Sequence, residues 1–202
     1  MSSDDEFYTI KSEVNAEIKI KGSRFIGTAT PVHSIEQAEQ FIRNMNKIYY
    51  DATHNCYAFS VLEKNQYIQK YNDAGEPAGT AGPPILSVIK GNEITNLAVV
   101  ITRYFGGTKL GKGGLIRAYT DCTKTVLDKA NIIKKIIYLQ LSLTFPYDLT
   151  GNIMHLLSQM NGKTVSSDYC EHAKLTIKLP KSNVDSFKDK AIEITSGKVG
   201  FV

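Results

Sequence analysis

The spacing of hydrophobic positions switches repeatedly between two residues and three to four residues, which predicts a mixed α+β protein. In residues 11–133 the pattern reads as strands, helix, strands, helix, strand and helix. Residues 1–10 show no such pattern and are predicted to be loose. The predicted strands are 14–31, 55–62, 67–71 and 97–101. Three helices are predicted: the first begins after the Ser34 cap, the second begins at 80–82, and the third follows the glycine-rich stretch that ends at Gly114.

Residues 132–202 carry a second set of elements. The pattern predicts a long strand over 132–145, a helix over 149–160, a hairpin around Glu171-His172, a helix capped by Ser182 and Asp185, and a strand over 198–202. This β-α-β-β-α-β order is ferredoxin-like. We therefore expect two domains, 1–133 and 134–202. Lys174 and Lys178 alternate with apolar residues and are interpreted as part of the solvent-exposed face of a sheet. Contact with RNA is the less favoured alternative.

The segment Leu97–Arg117 is the most informative stretch of the chain. A buried strand runs into a glycine-rich loop that opens an amphipathic helix, and the segment contains no acidic residue. Glycine amides and the unpaired N–H groups of a helix start favour bound anions, phosphate above all. The candidate binding residues are Arg103, Lys109, Gly111, Lys112, Gly113, Gly114 and Arg117. The alternative is that these glycines only make turns and the cations are solvated.

Two known phosphate motifs fit this loop only in part. Gly106, Gly111 and Lys112 match most of a Walker A loop, but Gly113 stands where that motif needs a Ser or Thr hydroxyl. The dinucleotide fingerprint fails because Ile116 stands at its third glycine. Nucleotide hydrolysis through a P-loop is therefore not predicted.

A second loop, Asn72–Pro84, also carries candidate chemistry. Asp73 and Glu76 can bind a cation or act as a base, although a structural turn is the favoured interpretation. Gly79, Thr80 and Gly82 precede a helix and offer a second set of N–H donors to an anion.

His54 and Cys56 lie on one face of a predicted strand. They can form a metal pair or a Cys–His nucleophile pair, but a buried cysteine and a hydrogen-bonded histidine are favoured. We expect no metal, no cofactor and no catalytic residue. Enzymatic activity stays open as the less favoured alternative.

Composition narrows the function classes. The net charge of +4 and the charged fraction of 22% do not by themselves require a nucleic-acid partner. Three widely spaced cysteines, Cys56, Cys122 and Cys170, give no disulfide framework. Without a secretion core or a run of the ~20 apolar residues that a membrane helix needs, we expect a cytoplasmic protein with no membrane partner.

Four collinear segments carry a resemblance that covers essentially the whole chain: TRYFGGTKLGKGGLIRAY (Thr102–Tyr119), NDAGEPAGTAGPPIL (Asn72–Leu86), KGSRFIG (Lys21–Gly27) and ATHNCYAF (Ala52–Phe59). Together they resemble the Impact/YigZ family, in its bacterial two-domain form. The chain departs from the family pattern at Ala74, Ala78, Pro83 and Ser60, where a second acid, a serine, a polar or basic residue and an arginine are usual.

The resemblance implies both fold and function. It implies a larger domain similar to the second domain of a small-subunit ribosomal protein and to domain four of elongation factor G, and a smaller one similar to domain five. It also implies a role in regulating translation, because the eukaryotic members are regulators of translational control and the fold relatives act on the ribosome. The basic residues of Leu97–Arg117, with aromatic residues nearby, predict RNA as the partner. Five further residues are accessory candidates, because cations hold phosphate and aromatic side chains can stack on unpaired bases: Lys21, Arg24, His54, Tyr104 and Phe105.

Two alternatives stay open at the same surface. One is a protein or enzyme that binds a phosphorylated metabolite. The other is a protein–protein adaptor, since arginine and tyrosine are enriched at such interfaces. The sequence predicts no oligomeric state.

Overall fold

The computed structural model describes residues 5–63, 66–169 and 172–202. Within them the chain forms two compact units, residues 7–134 and residues 135–202, and residues 5–6 group with the second. The strands are β1 (Glu6–Ile10), β2 (Val14–Ile20), β3 (Ser23–Pro31), β4 (His54–Glu63), β5 (Gln66–Asn72), β6 (Leu97–Tyr104), β7 (Ile132–Ile136), β8 (Tyr138–Pro146), β9 (Lys163–Tyr169), β10 (His172–Pro180) and β11 (Gly200–Phe201). The helices are α1 (Ile35–Ile48), α2 (Gly82–Gly91), α3 (Gly111–Asp128), α4 (Thr150–Gln159) and α5 (Val184–Ile194).

The unit of residues 7–134 is built on a five-stranded sheet in the order β2-β3-β6-β4-β5, with every neighbouring pair antiparallel. Helices cover both faces of this sheet. Val99 and Ile101 of β6 point into the core that α2 and α3 close, whereas Ala98 and Val100 point into the core that α1 closes. Burial on both faces explains why the central strand is a continuous apolar run.

Strand register places two turns side by side. β3 pairs with β6 so that Arg24 lies opposite Tyr104. The turn before β3 therefore lies beside the loop after β6. A Cβ atom on Gly106 would stand 1.8 Å from the carbonyl carbon of Gly22, so the two backbones are in contact only because both residues are glycine.

The second unit has a four-stranded sheet in the order β11-β8-β10-β9. Helices α4 and α5 pack on it through Leu156 and Phe187, against Phe145 and Leu175 of the sheet. The predicted α+β class and the β-α-β-β-α-β order are confirmed. Lys174 and Lys178 are exposed.

Local predictions have mixed outcomes. The Ser34 cap is confirmed, because its hydroxyl accepts from the Gln37 amide at 3.1 Å. The predicted loose terminus is wrong for Glu6–Ile10, which pairs with β7. The predicted long strand divides at Ile137, whose amide donates to the Asp5 carbonyl.

Three further predictions concern turns and caps. Ser182 does not cap α5; its amide and hydroxyl donate to the Asp5 carboxylate instead. The predicted turn residue Glu171, like Lys64, Asn65 and Cys170, lies outside the described residues. Among the helices that are described, none combines the length and apolar character needed to cross a bilayer.

Candidate functional site

The first turn of α3 presents backbone amides that have no acceptor among the described residues. Leu110 occupies the N-cap position and makes no side-chain cap hydrogen bond. In the described part of the chain, no carbonyl accepts from the amides of Gly111, Lys112 or Gly113. The φ of Gly111 is 71°, a conformation that a side chain would strain. These unpaired donors lie at the positive end of an 18-residue helix dipole.

Three cations surround this turn. Lys109, Lys112 and Arg117 are all exposed, and none of them forms an ion pair with a described residue. No acid occurs between Leu97 and Thr120. The predicted basic character of the loop therefore rests on these three side chains.

Arg103 does not belong to that exposed set, which corrects its predicted place in the basic patch. Its side chain is 6% exposed, and its Nη1 donates to the Glu76 carboxylate at 2.6 Å. Its Nη2 donates to the Ser23 hydroxyl at 3.4 Å, and its guanidinium lies 5.4 Å from the Phe25 ring centroid. The ion pair compensates its charge. Its Nε–H has no acceptor among the described residues.

Glu76 joins Arg103 to a buried network. Its Oε1 also accepts from the Tyr119 hydroxyl at 2.8 Å, and Tyr119 lies 3.3 Å from the Cys56 sulfur. Burial, Cys56 and Glu76 together raise the pKa of Tyr119. The Glu76 carboxylate holds Arg103 and Tyr119, which agrees with the favoured structural interpretation of this loop and leaves no free base or cation ligand at Glu76.

The Cys56 thiol is a structural donor. It donates to the Asp73 carbonyl at 2.9 Å, while His54 Nδ1 donates to the Ala74 carbonyl at 2.9 Å. Burial raises the pKa of Cys56 to about 12, so the thiolate needed for nucleophilic attack is not formed near neutral pH. The favoured interpretation of this strand face as a buried cysteine beside a hydrogen-bonded histidine agrees with this geometry. The described residues contain no cluster of three metal-ligating side chains.

Asp73 caps the start of α2. Its carboxylate accepts from the amides of Gly79 (2.8 Å), Ala81 (2.9 Å) and Gly82 (2.8 Å). Burial raises the pKa of Asp73, but these three donors outweigh it and hold the pKa below its usual value. Asp73 occupies the amides of Gly79 and Gly82, which were the possible second set of donors to an anion, so in this structure they are not free for one. The Thr80 hydroxyl donates to the Pro77 carbonyl and is also engaged.

The accessory candidates divide into engaged and available groups. Arg24 pairs with Glu17 at 2.8 Å and lies over the Tyr104 ring, whose hydroxyl donates to Asp51. Lys21 is exposed in the turn that contacts the glycine loop. The Phe105 ring is 47% exposed.

A pocket of about 340 Å³ adjoins the first turn of α3. Its lining combines apolar and polar side chains from β4, the second loop, β6 and α3. His54, Glu76, Arg103 and Phe105 line it together with Lys109 and Lys112. The structure therefore brings the two predicted loops to one pocket, although Glu76 and Arg103 reach it as a neutralised pair.

Two segments of the chain match models of known protein families. Residues 21–127 match the Impact N-terminal domain, and residues 143–198 match a domain of unknown function, DUF1949. The chain is 35% identical over 192 residues to IMPACT family member YvyE of Bacillus subtilis. The aligned residues cover 95% of this chain and 88% of YvyE. The chain belongs to the IMPACT family.

Two further comparisons agree. IMPACT family member YigZ of Escherichia coli is 32% identical over 182 residues, covering 90% of this chain and 89% of YigZ. A crystal structure of a hypothetical protein matches with a TM-score of 0.73 at 30% identity, covering 98% of this chain and 97% of that chain.

Sequence reasoning missed two residues that shape the site in this IMPACT family member. Ser23 accepts from both the Gly106 amide and Arg103, and Tyr119 holds Glu76. Both lie in segments that carry the family resemblance, but neither shows its role by its own chemistry, because Ser23 sits in a turn-like stretch and Tyr119 falls in the apolar stripe of α3. Their partners are 83, 80 and 43 residues away along the chain.

Proposed function

We propose that this IMPACT family member binds RNA by holding a backbone phosphate at the first turn of α3. The observation that carries the proposal is the set of uncapped amides at Gly111, Lys112 and Gly113, next to exposed cations. Helix starts with free N–H groups and nearby positive charge are common phosphate sites. The loop contains no acid that would repel a phosphate.

The charge count sets the expected salt dependence. Four cations would give a log–log salt slope near −3 on a single strand, but Arg103 is compensated by Glu76. Lys109, Lys112 and Arg117 alone give a slope of about −2. We therefore expect RNA affinity to fall by about two powers of ten for each tenfold rise in salt.

The setting that we propose is regulation of translation in the cytoplasm. It rests on the family resemblance, which associates eukaryotic members with translational control and both domains with ribosome-associated folds. RNA on the ribosome is the partner that this setting favours. A protein partner at the same surface is the alternative, and competition between that protein and RNA would reveal it.

A matched pair of variants tests the proposal. Lys109→Ala/Lys112→Ala removes two charges at the turn, and Arg43→Ala/Lys47→Ala removes two exposed charges on α1, which packs on the opposite face of the sheet. Fluorescence anisotropy with a short single-stranded RNA is measured over a salt series. We expect the first variant to reduce the slope from about −2 to about −0.7, and the control to retain it.

Two results would contradict the proposal. One is a flat salt response in the wild-type protein. The other is an equal loss of affinity in both variants, which would indicate nonspecific attraction. If a mononucleotide binds as tightly as the RNA strand does, the phosphorylated-metabolite alternative is favoured instead.

A further inference from the structure

We propose that the pocket beside α3 receives one unstacked nucleobase of a single strand while the adjoining phosphate binds the first-turn amides. This inference rests on the proposed function and adds the class of nucleic acid that the site selects. It makes the site specific for unpaired strands. A site for phosphate alone would accept a duplex as well.

The walls of the pocket favour a base over a bare phosphate. Pro77, Phe105, Leu110 and Leu115 supply apolar surface, and the volume of about 340 Å³ lies within the range of small-ligand sites. A phosphate gains nothing from apolar walls, whereas a planar base is stabilised by them. The Arg103 guanidinium lies 5.6 Å from the Phe105 ring centroid, and the ring is 47% exposed, so its exposed part offers the surface for stacking.

One polar group of the lining is left for the edge of a base. His54 uses Nδ1 to donate to the Ala74 carbonyl, which leaves Nε2 for a ligand in the pocket. In the neutral ring Nε2 is an acceptor. A base edge carries donors that can use this acceptor, whereas a backbone phosphate can only accept.

Glu76 and Ser23 fix the position of the Arg103 side chain in the pocket lining. They hold its two terminal nitrogens, at 2.6 and 3.4 Å. This part of the lining is thus ordered before a ligand binds, which lowers the entropy cost of binding.

The pocket and the phosphate site share residues. Lys109, Gly111 and Lys112 line the pocket and also belong to the basic first turn. One nucleotide can therefore place its base in the pocket and its phosphate at the turn. A duplex cannot do so without unpairing a base, which costs a few kcal/mol.

The test uses the full-length protein and three probes: a short single-stranded RNA, the same strand with abasic positions, and the same strand in a duplex. We expect the intact single strand to bind more tightly than the other two. Phe105→Ala should weaken single-strand binding about 5- to 150-fold and leave the salt slope unchanged, because no charge is removed. Phe105→Tyr retains the ring and should bind like the wild type.

Tyr67→Ala provides the matched control. Tyr67 is an exposed aromatic residue on β5 that pairs with Leu62, at the far end of β4 from His54. Its removal should leave RNA affinity unchanged. The abasic probe tests the same idea in the wild-type protein, so the result does not depend on how Phe105→Ala folds.

The outcomes separate this inference from the proposed function. Equal affinity for duplex, abasic and intact strands, with a salt slope of about −2 that Lys109→Ala/Lys112→Ala reduces, would overturn the base pocket and leave the phosphate site standing. Unchanged binding in the lysine variant would overturn both.

Discussion

Removal of Glu76 should strongly destabilise the unit of residues 7–134. Its side chain is 3% exposed and accepts from Arg103 at 2.6 Å and from Tyr119 at 2.8 Å. Glu76→Ala leaves a buried guanidinium without a counter-charge, and such a loss costs about 3–5 kcal/mol. The unpaired tyrosine hydroxyl adds to the cost.

A double-mutant cycle isolates the ion pair. Because the two groups share one buried network, Glu76→Ala and Arg103→Ala together should cost about 2–3 kcal/mol less than the sum of the single losses. The exposed pair of Arg24 and Glu17, with side chains 49% and 36% exposed, gives the control. Glu17→Ala should cost less than about 1 kcal/mol.

Amide hydrogen exchange in β6 is the suitable assay. The chain forms two compact units, so exchange at Val99 and Ile101 reports opening of the unit that contains the pair. A loss below about 1 kcal/mol for Glu76→Ala, or single losses that add up to the double loss, would refute the assignment of Arg103 as a structural residue.

Two further predictions concern the loops. Asp73→Asn should cost about 1–3 kcal/mol at neutral pH, because both carboxylate oxygens accept backbone N–H groups and the amide replaces one of these acceptors by an NH2 donor. Since the folded pKa of Asp73 is depressed, the contribution of its carboxylate is present above the unfolded pKa and is lost as the pH falls through the folded pKa. Thermal unfolding should therefore show the difference from wild type narrowing below about pH 4. Stability that differs equally at every pH would contradict this. Gly106→Ala should lower the free energy of unfolding by about 1–3 kcal/mol, because the new methyl group forces the backbones of Gly106 and Gly22 apart. Gly113→Ala is the control and should not destabilise the protein, because a Cβ atom there meets nothing within 4 Å. Equal melting temperatures for the two variants would argue against the close approach of the two backbones.

The elements that could be predicted from the sequence are those with a clear pattern of hydrophobic positions. The buried run of β6 and the apolar stripe of α3 are both found where expected, because each buries a defined face. Strand β1 was missed because Glu6–Ile10 is short and mixed in character. The apolar alternation over 132–145 continues through the break, so nothing local marks the change from β7 to β8.

The candidate site was only partly predictable. The glycine loop and its exposed lysines follow from local sequence, but the burial of Arg103 depends on Glu76, 27 residues away. A free and a paired arginine look the same in one sequence. Likewise, turn chemistry indicated that Asp73 lies in a loop but gave no sign that it occupies the amides of Gly79 and Gly82. The domain boundary at 133/134 and the role of the site stay predictions.

The central claim is that the bare amides at the start of α3 hold phosphate oxygens of RNA. The most direct measurement is the amide chemical shifts of the ¹⁵N-labelled protein as a short single-stranded RNA is added at low salt. We expect Gly111, Lys112 and Gly113 to show the largest saturable shifts and added salt to reverse them. Unmoved signals at these three amides, with shifts concentrated around Lys174 and Lys178 instead, would contradict it.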